Sequence, residues 1–484
     1  MNHQAPTVAP QLQTIVVDLD GTLVLTDTLH ESAMQLLRDN ALRVFQIPLW
    51  LSKGKAQLKQ KLAQAVDLNP QTLPYNRPLI DWIEQKRREG NRMVLCTAAD
   101  QSIARNVADH LQCFDDVIAS DGQRNLAGAA KKAALDAAYG QNRYLYVGNS
   151  SDDLHVWQGA PSAVVVNATP RVLAQAKQIT QVEQHFPRPA VGLSVWRKVF
   201  RVHQWLKNAL LFVPLMAAHQ LHDANAIGLL LLAFLSFSLC ASSVYITNDL
   251  MDLESDRQHP RKRSRPFASG MVPIATGLVL APICLGLSMA LATQVNAAFT
   301  NWLIVYFVLT FAYSVKLKKL VLLDCMTLAA LYTLRVIAGA AVVSIELSFW
   351  LLAFSIFIFL SLAFVKRYAE LQVQFTEGKK KAHGRGYYVD DVSIVQTMGV
   401  SAGNAAVLVL ALYLNGESAK TLYHTPEIIW GAIPLMLFWI SWVWMKAHRG
   451  QMNDDPMVFA VKDKVSWLVM IGIGLSFVGA TVVP

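Results

Sequence analysis

A run of acidic residues at the end of a long apolar segment has the clearest chemical potential in this chain. The stretch NDLMDLESD begins at Asn248 and places Asp249, Asp252 and Asp256 at spacings of three and four. On a helix, these spacings put the three carboxylates on one face. Acidic side chains beside a membrane span are costly, which favours a functional site facing a bundle interior or a water-filled cavity. Carboxylate oxygens suit Mg²⁺, which in turn binds phosphate oxygens. The run predicts a diphosphate site in a membrane protein; the alternative is an acidic juxtamembrane loop.

Length and composition indicate two parts. The chain has 484 residues, of which 53% are hydrophobic, and a net charge of +9. Up to about residue 184 apolar and charged segments alternate as in a soluble protein, whereas long apolar segments dominate afterwards. Nine segments have the length that a bilayer requires. They lie near residues 208–222, 226–248, 272–292, 297–315, 320–341, 345–365, 393–414, 427–445 and 465–483.

Basic residues orient the predicted bundle. They are concentrated in four alternate connections, the segments 249–271, 314–321, 366–392 and 446–464. By the positive-inside rule these connections and the soluble part lie on the cytoplasmic side of a bacterial inner membrane. We therefore attribute the net charge to topology and anionic ligands, and nucleic acid is not an expected partner. The consecutive lysines 379–381 are interpreted as positive-inside residues and not as ligands.

The first part contains four motifs in a recognisable order. A strand-like segment ends at Asp18 and continues as DLDGTLVLTD, and a second strand-like segment ends at Thr97. Lys131 and Lys132 open a helix, and a third strand-like segment leads into GNSSDD. Together these motifs resemble the haloacid dehalogenase-like hydrolases. The resemblance implies an α/β Rossmann-like domain over residues 1–184, with a small helical cap at about 28–74 that selects the substrate or merely supports the scaffold.

The same resemblance assigns roles to individual residues. Asp18 would attack phosphorus, and Asp20 would protonate the leaving alcohol and then activate water. Thr97 and one of the two lysines, with Lys131 favoured over Lys132, would hold the phosphate. Asn149 stands where the family usually has Asp, which lowers the charge of the metal site. The expected Mg²⁺ site consists of Asp18, the Asp20 carbonyl, Asn149 and Asp153.

The second part resembles the UbiA-like intramembrane prenyltransferases through its NDxxDxxxD run, over roughly residues 195–484. Most members have a second acidic motif, which is incomplete here because Thr327 and Leu328 follow Asp324. The pattern YSxxLKxxxxxD stands in its place and, with HPRKRSRPFASG, LRVIAG and VKRYAE, looks like the polyprenyl-phosphate phosphoribosyltransferases. That branch implies Mg²⁺ and diphosphate at Asn248, Asp249, Asp252 and Asp256. It also implies substrate binding by Gln204, Lys207, Asn208, Lys262, Arg265, Tyr313, Lys318, Asp324, Arg335, Lys366 and Arg367.

Our prediction is a bifunctional membrane enzyme with Mg²⁺ in both domains. Its membrane domain, an all-α bundle of about nine helices over 208–484, would transfer 5-phosphoribosyl from phosphoribosyl diphosphate to a long polyprenyl phosphate. Its soluble domain would remove a phosphate, although a regulatory domain without activity is an alternative. Residues 185–207 would form a linker and an amphipathic helix at the bilayer surface. No feature specifies an oligomeric state. The other hypotheses are prenylation of an aromatic acceptor and transport of a phosphorylated lipid or sugar.

Overall fold

A computed structural model describes residues 13–376, 385–452 and 455–483. The chain forms two compact units. Unit 1 comprises the described residues up to Val199 together with Ile246–Ala281, and unit 2 comprises Phe200–Tyr245 together with Pro282 onwards. Lysines 379–381, which we interpreted as positive-inside residues, lie outside the described residues.

Unit 1 is built on a parallel six-stranded sheet, as the α/β prediction requires. Its strands, in the order β3-β2-β1-β4-β5-β6, are β1 Thr14–Val17, β2 Arg92–Asp100, β3 Asp116–Ser120, β4 Tyr144–Gly148, β5 Ser162–Val166 and β6 Gln181–Phe186. The central strand β1 pairs with both β2 and β4, so that Val17 is level with Leu95 and Val147. Near-continuous apolar runs are typical of strands that are buried on both faces. This arrangement brings the carboxyl ends of β1, β2 and β4 together at one edge of the sheet.

Helices cover the sheet and form the cap. In chain order they are α1 Thr28–Asp39, α2 Ile47–Leu51, α3 Lys55–Ala65, α4 Arg77–Arg88, α5 Gln101–Leu111, α6 Ala129–Tyr139, α7 Leu154–Trp157, α8 Pro170–Ile179 and α9 Leu193–Val199. The predicted cap contains α1, α2, α3 and two 3₁₀ turns, 41–46 and 70–72. Asp27 caps α1 by accepting hydrogen bonds from the amides of Leu29 and His30. Leu36, Leu58 and Leu62 form the small apolar core of the cap.

The remaining helices include long apolar helices and several short ones. They are α10 Val213–Ala217, α11 Ala224–Met251, α12 Leu253–Gln258, α13 Ile274–Val295, α14 Ala297–Val315, α15 Leu323–Val342, α16 Phe349–Thr376, α17 Val392–Leu414, α18 Glu417–Leu422, α19 Ala432–His448, α20 Pro456–Lys462 and α21 Lys464–Val482. Short 3₁₀ helices lie at 202–212, 262–264, 317–319, 389–391 and 426–431. Within the described ranges, eight helices are long and apolar enough to cross a membrane. The chain is a multi-pass membrane protein.

In the described ranges, eight of the nine predicted spans correspond to these helices, and the first does not. The first predicted span, near 208–222, consists of the end of the 3₁₀ helix Val202–Phe212 and the five-residue helix α10. Pro214 lies at the start of α10 and donates no amide hydrogen bond, and the chain changes there from a 3₁₀ helix to an α-helix. His219 then adopts a φ of 58°, a left-handed conformation that is typical of helix ends. Neither helical piece is long enough to span a bilayer.

Candidate active sites of the two units

Asp18 lies at the centre of the first candidate site because it follows the central strand directly. Its amide donates to the carbonyl of Val147 on β4 at 3.0 Å, which fixes the backbone at the edge of the sheet. The side chain is buried. The ammonium of Lys131, from the first turn of α6, lies 2.8 Å from Asp18 Oδ1 and 3.4 Å from Asp153 Oδ1. Three of the predicted residues thus meet in one buried charge cluster.

Lys132 points elsewhere. Its ammonium lies 2.7 Å from Asp136 Oδ2, one helical turn further along α6, and its side chain is 28% exposed. Only Lys131 of the two candidate lysines contacts Asp18. Thr97, at the carboxyl end of the regular pairing of β2, is fully buried, and its hydroxyl accepts a hydrogen bond from the amide of Ala99 at 3.0 Å.

Asp153 is held by its own loop. Its Oδ2 accepts hydrogen bonds from the amides of Asn149 and Ser150, both at 2.9 Å, and from the Ser150 hydroxyl at 3.0 Å. Its Oδ1 accepts from the hydroxyl of Tyr146 at 2.8 Å. With Lys131, these donors occupy the lone pairs of the carboxylate. The geometry makes Asp153 an orienting group for Lys131 and for the loop, and its predicted role as a metal ligand stays a prediction.

The carboxyl groups at this site have different pKa values. Burial raises the pKa of Asp18 to about 6, although Lys131 opposes the increase. Burial also raises the pKa of Asp20 to about 7, with the Asp27 carboxylate adding to it. For Asp153, burial is outweighed by Lys131 and by the backbone amides of its loop, which lower its pKa. An ionised nucleophile beside a carboxyl group that titrates near neutrality suits nucleophilic attack with general acid catalysis.

The cap closes over this edge of the sheet. The amide of Thr28, at the start of α1, donates to Asp20 Oδ1 at 2.8 Å. Lys59 on α3 donates to the carbonyl of Ala98 at 2.6 Å and to Asn125 Oδ1 at 2.9 Å. A small pocket lies beneath, with Asp20, Lys59 and Asp100 among its lining residues. The cap thus supplies a cation to the pocket that contains the acid–base carboxylate.

The residues around Asp18 suit a hard cation. Asp18, the backbone carbonyl of Asp20 and the side-chain amide of Asn149 provide oxygen atoms, the donors that Mg²⁺ prefers. Asn149 lies against the motif loop, since a Cβ built on Gly21 would come within 2.1 Å of its Nδ2. Gly21 also has a φ of 74°, which an L side chain rarely adopts. The loop therefore keeps this position open for the Asn149 amide.

The acidic run forms a second candidate site within unit 1. Asp249 lies in the last turn of α11, Asp252 at the junction, and Asp256 in α12. One guanidinium nitrogen of Arg265 lies 3.0 Å from Asp249 Oδ1 and 2.5 Å from Asp256 Oδ2. Lys262 is 4.0 Å from Asp256 Oδ1. The helical spacing predicted from the sequence thus brings Asp249 and Asp256 to one shared cation.

One carboxylate oxygen of this run fits a metal particularly well. Asp256 Oδ1 is buried and has no hydrogen-bond partner among the described residues. Burial raises the pKa of Asp256, although Arg265 opposes the increase. A buried acceptor without a donor is costly, and a divalent cation would satisfy it. Asn248 and Asp252 are half-buried beside it, and their predicted role as ligands stays a prediction.

Unit 2 contains a cluster of cations around one carboxylate. Lys207, from the 3₁₀ helix 202–212, lies 2.7 Å from Asp455 Oδ2, and Lys366 of α16 lies 3.3 Å from the same oxygen. The hydroxyl of Tyr332 on α15 donates to Asp455 Oδ1 at 3.1 Å. Asp455 also caps α20 through the amide of Met457. Sequence analysis missed Asp455; the available signal was an acidic residue directly before Pro456 at the start of a helix.

Arg335 extends this cluster on the other side of Tyr332. Its guanidinium donates to Asn208 Oδ1 and to the Tyr306 hydroxyl, both at 2.9 Å, and lies 5.6 Å from the centroid of the Tyr332 ring. No carboxylate lies within ion-pair distance of Arg335 in the described part of the chain. The 3₁₀ helix approaches α15 closely at Gly339, where a Cβ would come within 2.1 Å of the Leu211 carbonyl oxygen. The close approach holds Lys207, Asn208 and Arg335 together.

The other predicted substrate-binding residues of unit 2 have different surroundings. Asp324 and Arg367 are fully buried and form an ion pair with 2.5 Å between Oδ2 and the guanidinium nitrogen. The Tyr387 hydroxyl donates to Asp324 Oδ1 at 2.6 Å, and Arg367 also pairs with Glu370. Tyr313 accepts a hydrogen bond from Arg385 at 2.9 Å, whereas Lys318 and Gln204 are half-buried. The contacts of Asp324 with Arg367 are those of an internal pair, and substrate binding by the two residues stays a prediction.

These features define a class of protein. It is a multi-pass helical membrane protein that carries an acidic run and is fused to an α/β domain with the motifs of a phosphohydrolase. The chain belongs to the UbiA prenyltransferase family, whose model matches residues 209–462. Its first part is a haloacid dehalogenase-like hydrolase domain, matched over residues 15–158. Both resemblances predicted from the sequence are confirmed.

Several relatives help to interpret the fusion. "Uncharacterized protein y4nM" of Sinorhizobium fredii is 35% identical over 96% of this chain and 90% of its own length. Nodulation protein NoeC of Azorhizobium caulinodans is 38% identical over 57% of this chain and 90% of its own. A decaprenyl-phosphate phosphoribosyltransferase of Mycolicibacterium smegmatis is 30% identical over 58% of this chain and 92% of its own.

Proposed function

We propose that the protein transfers 5-phosphoribosyl from phosphoribosyl diphosphate to a long-chain polyprenyl phosphate and that its hydrolase domain then removes the 5-phosphate of the product. The observation that carries the transfer step is the cation cluster of unit 2. There, Lys207 and Arg335 lie over the ring of Tyr332. Among the described residues, Asp455 is the carboxylate that forms ion pairs with both Lys207 and Lys366. The similarity to decaprenyl-phosphate phosphoribosyltransferases supports the same donor.

Phosphoribosyl diphosphate would explain why cations outnumber carboxylates among the described residues of this cluster. The donor carries a sugar phosphate in addition to its diphosphate, and each needs positive charge. Lysine and arginine form charge-assisted hydrogen bonds to phosphate oxygens, and the planar guanidinium does so through two parallel bonds. A prenyl diphosphate carries no phosphate besides its diphosphate. The buried charge of Arg335 would therefore stay uncompensated, and costly, in an enzyme that bound only that donor.

The acidic run of unit 1 would bind the diphosphate of the donor. Bound Mg²⁺ would neutralise charge on the diphosphate as it leaves the anomeric carbon. Asp249 and Asp256 would hold the cation, and Arg265, which contacts both carboxylates, would keep them in place. The polyprenyl phosphate is already anionic and attacks without a strong general base. The substitutions Lys318→Ala and Arg265→Ala should therefore weaken donor binding.

The hydrolase domain would act through residues of its own. Asp18, ionised beside Lys131, attacks phosphorus to form an aspartyl-phosphate, while Asp20 gives its proton to the leaving oxygen. Asp20 then accepts a proton from the water that hydrolyses this intermediate. Lys131 and Thr97 hold the phosphate oxygens. Mg²⁺ bound at Asp18, the Asp20 carbonyl and Asn149 would stabilise charge on the transferring group.

The fusion supports the choice of substrate for the hydrolase. A hydrolase tethered to the enzyme that makes a phosphorylated lipid meets its substrate at a high effective concentration. Removing the 5-phosphate would make the two-step sequence harder to reverse. The distribution of basic residues supports a bacterial inner-membrane protein whose hydrolase domain lies in the cytoplasm.

An experiment with alternative donors tests the transfer step. The purified protein would be incubated with polyprenyl phosphate and Mg²⁺ and with either ribose-labelled phosphoribosyl diphosphate or labelled geranyl diphosphate plus an aromatic acid. We expect label to enter the organic phase only with phosphoribosyl diphosphate. Labelling of the aromatic acceptor would establish aromatic prenylation instead, and uptake of intact donor into liposomes without a new product would establish transport.

A further inference from the structure

The first cap helix of the hydrolase domain contacts the segment that carries the acidic run, and both belong to unit 1. Glu31 on α1 forms a two-point ion pair with Arg257 on α12, with Oε1 at 2.5 Å from one guanidinium nitrogen and Oε2 at 3.1 Å from the other. The two side chains are only 5% and 8% exposed. The pair is therefore shielded from water and specific in its geometry.

Arg257 connects three parts of unit 1. It follows Asp256 directly in the sequence, and its Nε donates to the Ala268 carbonyl at 2.8 Å, in the loop that begins with Arg265. The hydroxyl of Thr26 donates to Glu31 Oε1 at 2.8 Å and fixes the other end of the pair. Through Glu31 and Arg257 the cap helix thus holds α12 and the loop, whose residues Asp256 and Arg265 contact each other.

The same loop also contacts the hydrolase domain at Gly270, independently of the ion pair. Gly270, at the end of the same loop, has a φ of 73°. A Cβ at this position would come within 2.5 Å of Leu25 Cβ and 2.8 Å of the Leu25 carbonyl oxygen, just before α1. Because a backbone atom is involved, a side chain there would push the loop away from the hydrolase domain. α12 also contacts the cap turn 70–72.

We propose that Glu31 and Arg257 are positioning residues for the transferase, through which the hydrolase cap holds the acidic run in the geometry that binds the metal and the diphosphate. This inference rests on the proposed role of the acidic run. It gives the cap a role beyond the choice of a hydrolase substrate. The relative from Mycolicibacterium smegmatis matches only 58% of this chain over 92% of its own length, so the cap contact is a feature of the fused architecture.

The chain offers a matched control. Arg38 on α1 and Glu254 on α12 form a second ion pair between the same two helices, at 2.6 Å, but both side chains are 34% exposed. An exposed pair contributes little, whereas removing one partner of a buried pair leaves a charge uncompensated. Glu31→Gln and Glu254→Gln each remove one carboxylate charge from an ion pair between α1 and α12. Comparing them therefore distinguishes a positioning role of Glu31 from a general loss of charge at this contact.

The test measures metal binding directly. Mn²⁺ would be titrated into the full-length protein with inorganic diphosphate, and free Mn²⁺ read by electron paramagnetic resonance, in an Asp18→Asn background that weakens the hydrolase site. Outer residues that orient metal ligands typically affect affinity by about 10- to 100-fold. We expect Glu31→Gln to weaken Mn²⁺ binding about tenfold and Glu254→Gln to change it by about twofold or less.

Two further variants keep the test decisive if Glu31→Gln folds poorly. The exchanged pair Glu31→Arg with Arg257→Glu should bind Mn²⁺ within about threefold of the parent, since the ion pair is re-formed. Gly270→Ala should weaken binding in the same direction as Glu31→Gln, whereas Gly54→Ala, also at positive φ but with no atom within 4 Å, should not. Equal Mn²⁺ affinity in Glu31→Gln and Glu254→Gln would overturn the inference. Normal Mn²⁺ binding without phosphoribosyl transfer by the wild type would instead overturn the proposed function.

Discussion

Replacing Lys131 with methionine tests the geometry of the hydrolase site most sharply, because the neighbouring Lys132 provides a matched control. The Lys131 ammonium is 5% exposed and lies 2.8 Å from Asp18. A hydrogen bond to a charged group contributes about 1.5–3 kcal/mol. At about 1.4 kcal/mol per factor of ten, Lys131→Met should lower kcat/KM for phosphate release by about 10- to 150-fold. Lys132 makes a partly exposed pair with Asp136, and such pairs contribute about 0.3–0.5 kcal/mol, so Lys132→Met should cost about twofold.

The pH dependence provides a second readout. Burial raises the pKa of Asp18 to about 6, and Lys131 opposes this increase. Without the ammonium, the pKa of Asp18 should rise further. Because the nucleophile must be ionised, the activity lost in Lys131→Met should be larger at pH 6 than at pH 8. The assay is phosphate release from an aryl phosphate by each full-length variant. Equal losses in the two variants, or a Lys131→Met loss that does not grow as pH falls, would refute the assignment.

Three further predictions concern the membrane unit. Asp249→Asn should abolish transfer of labelled ribose to lipid while aryl phosphate hydrolysis stays within about twofold, and retained Mg²⁺-dependent transfer would make the acidic run structural. Arg335→Gln should raise KM for phosphoribosyl diphosphate by about 10- to 150-fold with normal thermal stability, since its partners are neutral; an unchanged KM would contradict a donor contact. Asp455→Asn should lower stability by an amount near the low end of about 3–5 kcal/mol, because Lys366 is 32% exposed. Burial would raise the pKa of Asp455, but Lys207 and Lys366 outweigh it and lower this pKa. The stability contributed by the ionised carboxylate is therefore complete above its ordinary pKa and is lost only at lower pH, so the loss of thermal stability in Asp455→Asn should be equal at pH 6 and pH 8.

The hydrolase fold and the position of Asp18 after the central strand could be predicted because their signals are local. Apolar segments that lead into Asp18 and Thr97 carry the information within a few positions. The choice between Lys131 and Lys132 could not be made in this way. Both residues open α6, and only the packing of that helix against the sheet directs Lys131 towards Asp18 and Lys132 towards Asp136.

The arrangement of the membrane unit depended on contacts between distant segments. Lys207 and Asp455 are 248 positions apart, so no local spacing connects them. Asp324 was predicted to bind substrate from a motif, whereas its contacts with Arg367 and Tyr387 depend on the packing of α15, α16 and the loop that contains Tyr387. The pairing of Glu31 with Arg257 likewise depends on the fold, since neither residue belongs to a motif. Hydropathy overstated the segment near 208–222 because apolar content does not register the end of α10 at Ala217, before His219.

The lipid product of the complete reaction tests the central claim most directly. Full-length wild type and Asp18→Asn would each be incubated with phosphoribosyl diphosphate, polyprenyl phosphate and Mg²⁺, and the lipid extracts analysed by mass spectrometry. We expect polyprenyl phosphoribose and free phosphate from the wild type, and the 5-phosphorylated lipid from Asp18→Asn. Identical lipid products from both proteins would contradict hydrolysis of the 5-phosphate by the fused domain, and the absence of any ribosylated lipid would contradict the transfer itself.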